Sequence, residues 1–93
     1  MAVRKIWKYA IKVEDSQTLT LPKGSQILSV ITQNCRAVVY AIVDTETKET
    51  EEYAVEIYGT GNEPIRHDDS YTFLGTIQGA EGVGVCHVFY KKK

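Results

Sequence analysis

The residues with the most chemical potential lie close together in this 93-residue chain. Gly59-Thr60-Gly61 closes an alternating segment, and Arg66-His67-Asp68-Asp69 follows shortly after. Two glycines around a threonine can turn successive backbone N–H groups toward an anion. A planar arginine fork matches a phosphate or carboxylate. Together they predict capture of a small anionic ligand: Gly59 and Gly61 offer main chain, and Arg66 is the anion partner. The tripeptide is not a dinucleotide fingerprint, which needs a third glycine and a following helix. Here Pro64 follows instead. Read structurally, the same glycines permit a sharp strand exit or a bulge.

A histidine beside aspartates is the germ of many active sites. Adjacent residues rarely converge on one substrate, however, and no nucleophile is fixed near His67 by spacing. The segment reads as a solvated loop in which Asp68 or Asp69 opens a turn before Ser70. His87 shares an alternating face with Val83, Val85 and Phe89, as a half-buried strand histidine does. It also has the means to line a pocket. Trp7, Tyr9, Tyr40, Tyr58 and Phe89 are flat groups able to stack on a base or a side chain. At period-two spacing they equally suit core or cross-strand pairs. The expected ligand-binding set is therefore Gly59, Thr60, Gly61, Arg66, Tyr58, Trp7 and His87. No catalytic residue, metal or cofactor is expected.

Cys35 and Cys86 are far apart, there is no CxxC, and His67 and His87 are the only histidines. That spacing supplies no zinc site. In a reducing compartment the cysteines are free thiols filling small spaces. Cys35, beside Arg36 in a turn, is the candidate for reactivity.

Charge narrows the partners. Eleven basic and twelve acidic residues give a net charge of −1. A DNA or RNA binder normally carries a basic excess, so nucleic acid is not the expected partner. Arg4, Lys8 and Lys12 form a basic stripe on one strand face, as a solvated edge strand does. Lys91-Lys92-Lys93 reads as a solvated tail. No apolar run reaches spanning length, and the first nine residues lack the apolar core of a signal peptide. A cytoplasmic protein without membrane contact is expected.

The elements that must hold these groups are strands. Val, Ile and Thr number 10, 8 and 9, against four Leu and six Ala. Branched side chains suit a pleated surface and lose rotamer freedom in helices. Residues 3–13 and 17–21 alternate, and Pro22-Lys23-Gly24-Ser25 has turn chemistry. Residues 26–32 are apolar on both faces, and residues 36–43 read as a central strand covered on both sides. Residues 44–51 (DTETKETE) are wholly polar and read as a hairpin loop. Alternation resumes over 52–58, and residues 59–70 form the longest irregular stretch. Residues 71–78 and 83–91 are the last strands, joined by Gly79-Ala80-Glu81-Gly82. A single all-β domain over residues 1–93 follows: a small antiparallel sandwich or barrel of about seven strands, with at most one helical turn. Two-faced apolar strands without helical cover predict a homo-oligomer, most simply a dimer.

Several segments are familiar in combination: Ile6-Trp7-Lys8-Tyr9, Leu21-Pro22-Lys23-Gly24, Ile27-Leu28-Ser29-Val30, Ala41-Ile42-Val43-Asp44, Ile57-Tyr58-Gly59-Thr60-Gly61 and His87-Val88-Phe89. In this order they resemble a small uncharacterised domain of bacteriophage and prophage genomes. That family often has a histidine after the second glycine, where this chain has Asn62. The resemblance implies a phage-encoded protein acting in the bacterial cytoplasm and carries no catalytic signature. By analogy with other small phage proteins, the expected role is sequestering a nucleotide-like host immune signal. The alternatives are an interaction module that blocks a host protein or serves the virion, and a hydrolase using His67 or His87.

Overall fold

The computed structural model describes residues 3–61, 64–82 and 84–93. Asn62 and the expected start of the last strand at Val83 lie outside the described residues. Among them run seven strands: β1 (Arg4–Ile11), β2 (Ser16–Pro22), β3 (Gln26–Gln33), β4 (Arg36–Asp44), β5 (Thr50–Gly59), β6 (Thr72–Gln78) and β7 (Val85–Lys92). A short 3-10 turn, Ala80–Gly82, precedes β7. Every pairing is antiparallel. One sheet has the order β1-β4-β3 and the other β2-β5-β7-β6, so the fold is a β-sandwich. Among the described residues no helix is long and apolar enough to cross a membrane.

Alternation builds the core. Ala37, Val39, Ala41 and Val43 on β4 are fully buried between the sheets. They meet Tyr53, Val55 and Ile57 of β5 and Cys86 and Val88 of β7 in one cluster. The two sheets close at one corner, where the β3 and β6 edges abut. Thr32 Oγ1 donates to the Gln78 carbonyl at 2.8 Å there. A Cβ on Gly75 would stand 3.0 Å from Val30 Cγ1, so a glycine permits this approach. Both edges carry a register shift at this corner, β3 between Ile27 and Ser29 and β6 between Phe73 and Gly75. Bulges add local twist, which turns an edge toward its neighbour.

Three expectations change. The polar stretch after Asp44 is not a hairpin: β4 and β5 belong to different sheets, and the stretch crosses between them. Composition reports that a loop is wet, not which strands it joins. The alternation over residues 3–13 predicts an apolar face of Val3, Trp7, Tyr9, Ile11 and Val13 opposite the basic stripe, but on β1 that face is buried only near its end, at Ile11, with Tyr9 half-buried. Trp7 is 45% exposed and Ile6 62% exposed, on opposite faces of this edge strand. Cys35 is exposed while Cys86 is buried, and both are free thiols. Burial pushes the Cys86 thiol above its ordinary pKa.

Asn34 and Cys35 join β3 to β4 with φ of 52° and 63°. Two left-handed residues between paired strands fit a type I′ turn, whose favoured second residue is glycine. A side chain at that φ carries strain of about 1 kcal/mol. Cys35→Gly is expected to stabilise the protein by about 0.5–1 kcal/mol, offset in part by a more flexible unfolded chain. Urea titration checks this; a lower midpoint would show that the Cys35 side chain contributes contacts worth more than the strain.

Candidate functional site

The connection between β5 and β6 folds back over the outer face of the second sheet. Tyr58 marks where it docks. On β5, Tyr53, Val55 and Ile57 point into the core, so Tyr58 points outward, yet it is only 2% exposed. Its hydroxyl accepts the backbone N–H groups of Arg66 at 2.9 Å and His67 at 3.3 Å. Both acceptor positions are then used, and the hydroxyl hydrogen goes to His67 Nδ1 at 3.0 Å. His67 is thereby held as the tautomer protonated at Nε2. Its ring stacks on Tyr71 with centroids 4.6 Å apart and also lies against Phe89 at 4.6 Å. Phe89 meets Tyr58 edge-on at 5.9 Å and Phe73 at 5.3 Å.

Arg66 completes the clamp. Its guanidinium sits 4.3 Å from the Tyr58 ring centroid. It donates to the carbonyls of Asp15 at 2.7 Å and Ile57 at 3.4 Å, and to Glu56 Oε2 at 3.4 Å. The arginine expected to meet a ligand anion is engaged instead in tying this loop to β5 and to the β1–β2 connection. Sequence could not show it, because Asp15 is 51 residues away in the chain.

Asp68 shapes the return to β6. Its Oδ1 accepts the Ser70 N–H at 2.9 Å and the Ser70 hydroxyl. The hydroxyl bond, then the N–H bond, hold its carboxyl below the ordinary range. A depressed folded pKa contributes stability that is full above the unfolded value, near 3.9, and is lost as pH falls through the folded value. The urea midpoint of the wild type should therefore exceed that of Asp68→Ala at pH 7, and the gap should close below about pH 4. A gap unchanged at pH 3 would show that the turn does not depend on the carboxylate.

Beside the clamp opens a cleft of about 310 Å³. Tyr58, Phe73, Phe89 and Ile65 give it apolar walls, and Gly59-Thr60-Gly61 and His87 give it a polar side. His87 stands between Tyr58 and Thr76 in the sheet register. Its Nε2 is 2.7 Å from the Thr60 hydroxyl and its Nδ1 is 3.0 Å from the Thr76 hydroxyl. A hydroxyl both donates and accepts, so each threonine keeps hydrogen-bonding capacity beyond its bond to the ring.

Five of the seven expected residues, Tyr58, Gly59, Thr60, Gly61 and His87, line this one cleft. Arg66 and Trp7 do not. Trp7 belongs to β1 of the other sheet, opposite Ala41. The N–H of Thr60 is spent on the Val85 carbonyl at 3.3 Å, which takes one donor from any nest. Phe73, Ile65 and Thr76 were not anticipated. A shifted register in the β6–β7 hairpin sets Phe73 opposite Phe89 and Thr76 opposite His87, and no residue type announces that shift.

The chemistry on offer is recognition by flat walls and neutral hydrogen bonds. A hydroxyl at 2.7 Å from an imidazole is nucleophile-and-base geometry. Here the other ring nitrogen meets a threonine, not the carboxylate that orients a catalytic histidine. Among the described residues no cluster of three His, Cys, Asp or Glu could hold a metal ion.

With this architecture in view, comparison with known proteins gives one result. A family profile described as "Domain of unknown function (DUF7352)" matches residues 2–93. The chain belongs to that family. The DUF7352 match spans the strands, the clamp and the cleft together, in agreement with an uncharacterised small domain family. No curated protein and no solved structure matches the chain.

Proposed function

We propose that this is a non-enzymatic binding protein whose cleft takes the flat heteroaromatic part of a nucleotide-like ligand. The observation that carries the reading is the pairing of aromatic walls, of which Phe73 is exposed, with the Thr60–His87 pair, which Thr76 holds from outside the cleft. A base has a face for Phe73 and Phe89 and polar edges for the Thr60 hydroxyl and the main chain of Gly59 and Gly61. Among the described lining residues there is no Lys or Arg, so the phosphates of such a ligand lie toward solvent. The resemblance to phage and prophage domains supports a bacteriophage setting. In the host cytoplasm, capture without turnover sequesters a nucleotide signal.

A thermal-shift screen with cyclic nucleotides and ADP-ribose derivatives tests this, since a ligand that binds only the folded state raises the melting temperature. Phe73→Ala removes an exposed wall and should weaken the best ligand roughly ten-fold, because one stacked base is worth about 1–3 kcal/mol. Chromatography should return the ligand unchanged. Turnover, or equal binding by Phe73→Ala, overturns the reading.

A second reading is favoured by one observation, the exposure of Ile6 and Trp7 on the two faces of β1. An edge strand apolar on both faces suits an interaction module that meets a host protein or a second copy of the chain. Light scattering at micromolar concentration should then report a dimer.

A further inference from the structure

The cationic groups that the cleft lacks are found on the opposite outer face of the sandwich. The outward register of the first sheet sets Lys8 against Tyr40, Ala10 against Val38, and Gln33 against Arg36. Ala10 is short where its neighbours are long, which leaves a depression. A groove of about 420 Å³ lies there, with Ala10 and Val38 as its floor and Lys8, Gln33, Asn34 and Arg36 around it. Val38 is only 6% exposed although it faces outward, whereas Ala10 is exposed, so the floor is apolar and its Val38 half is sheltered by neighbours.

The rim is rich in donors. Among the described residues neither Lys8 nor Arg36 has an ion pair or a side-chain hydrogen bond. The chain has twelve acidic residues, and among the described residues none of them lines this groove. Gln33 Oε1 already accepts the Tyr40 hydroxyl at 3.3 Å, which leaves the amide NH2 to donate. Lys8 and Arg36 stand two rows apart along the strands, about 13 Å at strand spacing. A ligand lying between them meets an apolar bed in the middle and a cation at the end.

From this we propose a second binding site, for an organic phosphate with a compact apolar body: the body rests on Ala10 and Val38, and the phosphate meets Arg36 or Lys8. Arginine supplies the paired donors that a phosphate accepts, and lysine supplies a point charge. The site stands apart from the cleft beside His87, since the two lie on the outer faces of different sheets. It does not depend on the function proposed for that cleft.

Phenyl phosphate is the probe, titrated into 15N-labelled protein. Saturable shifts are expected at residues 8, 10, 33, 34, 36 and 38. Inorganic phosphate, which lacks the body, and benzyl alcohol, which lacks the charge, should each bind at least ten-fold more weakly. Replacing both cations, Lys8→Gln with Arg36→Gln, should weaken phenyl phosphate by ten-fold or more. Both side chains are exposed, so the spectrum should stay dispersed; Arg36→Glu alone is the second variant and should also weaken binding. Shifts centred on residues 58–61 and 87, the absence of saturation, or equal affinity in the variants overturns the proposal. Shifts at residues 58–61 and 87 would at the same time support the other site, so the two failures are distinguishable.

Discussion

Tyr58→Ala should destabilise the protein by about 3–5 kcal/mol, the usual cost of deleting a buried aromatic ring. For a domain of this size that corresponds to a fall in melting temperature of more than about 10 °C. The loss has two parts, and Tyr58→Phe separates them. The ring fills the space between the Arg66 guanidinium, His67 and Phe89. The hydroxyl accepts two backbone N–H groups and donates to His67. Phenylalanine keeps the ring and leaves those groups without their partner, at about 1–3 kcal/mol. Hydrogen exchange at the amides of Arg66 and His67 should accelerate in both variants, ahead of global unfolding. If Tyr58→Phe matched the wild type within about 0.5 kcal/mol, water would be replacing the hydroxyl and the clamp would rest on the ring alone.

Arg66→Ala should cost about 2 kcal/mol, within the range for hydrogen bonds to a charged group. A loop arginine read from sequence is an exposed ligand contact whose loss leaves stability unchanged. Arg66 does stand at the surface, but its guanidinium is engaged: the side chain is 32% exposed and its neighbour Glu56 only 13%. Alanine removes the stack on Tyr58 and the bonds to two carbonyls, and leaves the Glu56 carboxylate without this partner. Arg66→Lys should recover only part of the loss, because an ammonium has neither the fork nor the flat face. Urea titration at low and high salt checks both variants. The stacking and carbonyl components should persist at high salt, where the Glu56 component shrinks. A neutral Arg66→Ala would return this arginine to the role the sequence suggested.

Local grammar was legible from residue order alone. Branched and apolar runs over β4, β5 and β7 identified strands, and alternation over β5 left one face for the core, whereas which face of β7 is buried, that of Cys86 and Val88 rather than that of Val85 and His87, came from the structure. The glycine-flanked exit after Tyr58, the turn after Pro22 and the turn at Cys35 were legible for the same reason: each depends on the φ preferences of one or two residues. The gathering of Tyr58, Gly59, Thr60 and Gly61 is local as well. Tertiary structure alone decided which strands share a sheet. The polar stretch after Asp44 looks the same whether it turns a hairpin or crosses between sheets. It alone decided the fate of Arg66, whose partners come from the β1–β2 connection and from β5. The bulge between Phe73 and Gly75 shifts the β6 register and sets Thr76 beside His87. Trp7 and Arg36 show the same limit. Trp7 was expected at the ligand, and sheet order puts it half uncovered on an edge strand of the other sheet; Arg36 reads as a strand residue, and the register of the outer face sets it beside Gln33 with no carboxylate partner among the described residues. Local conformation is written in neighbouring residues, whereas a site is made by groups far apart in the chain, and their meeting depends on register and sheet order.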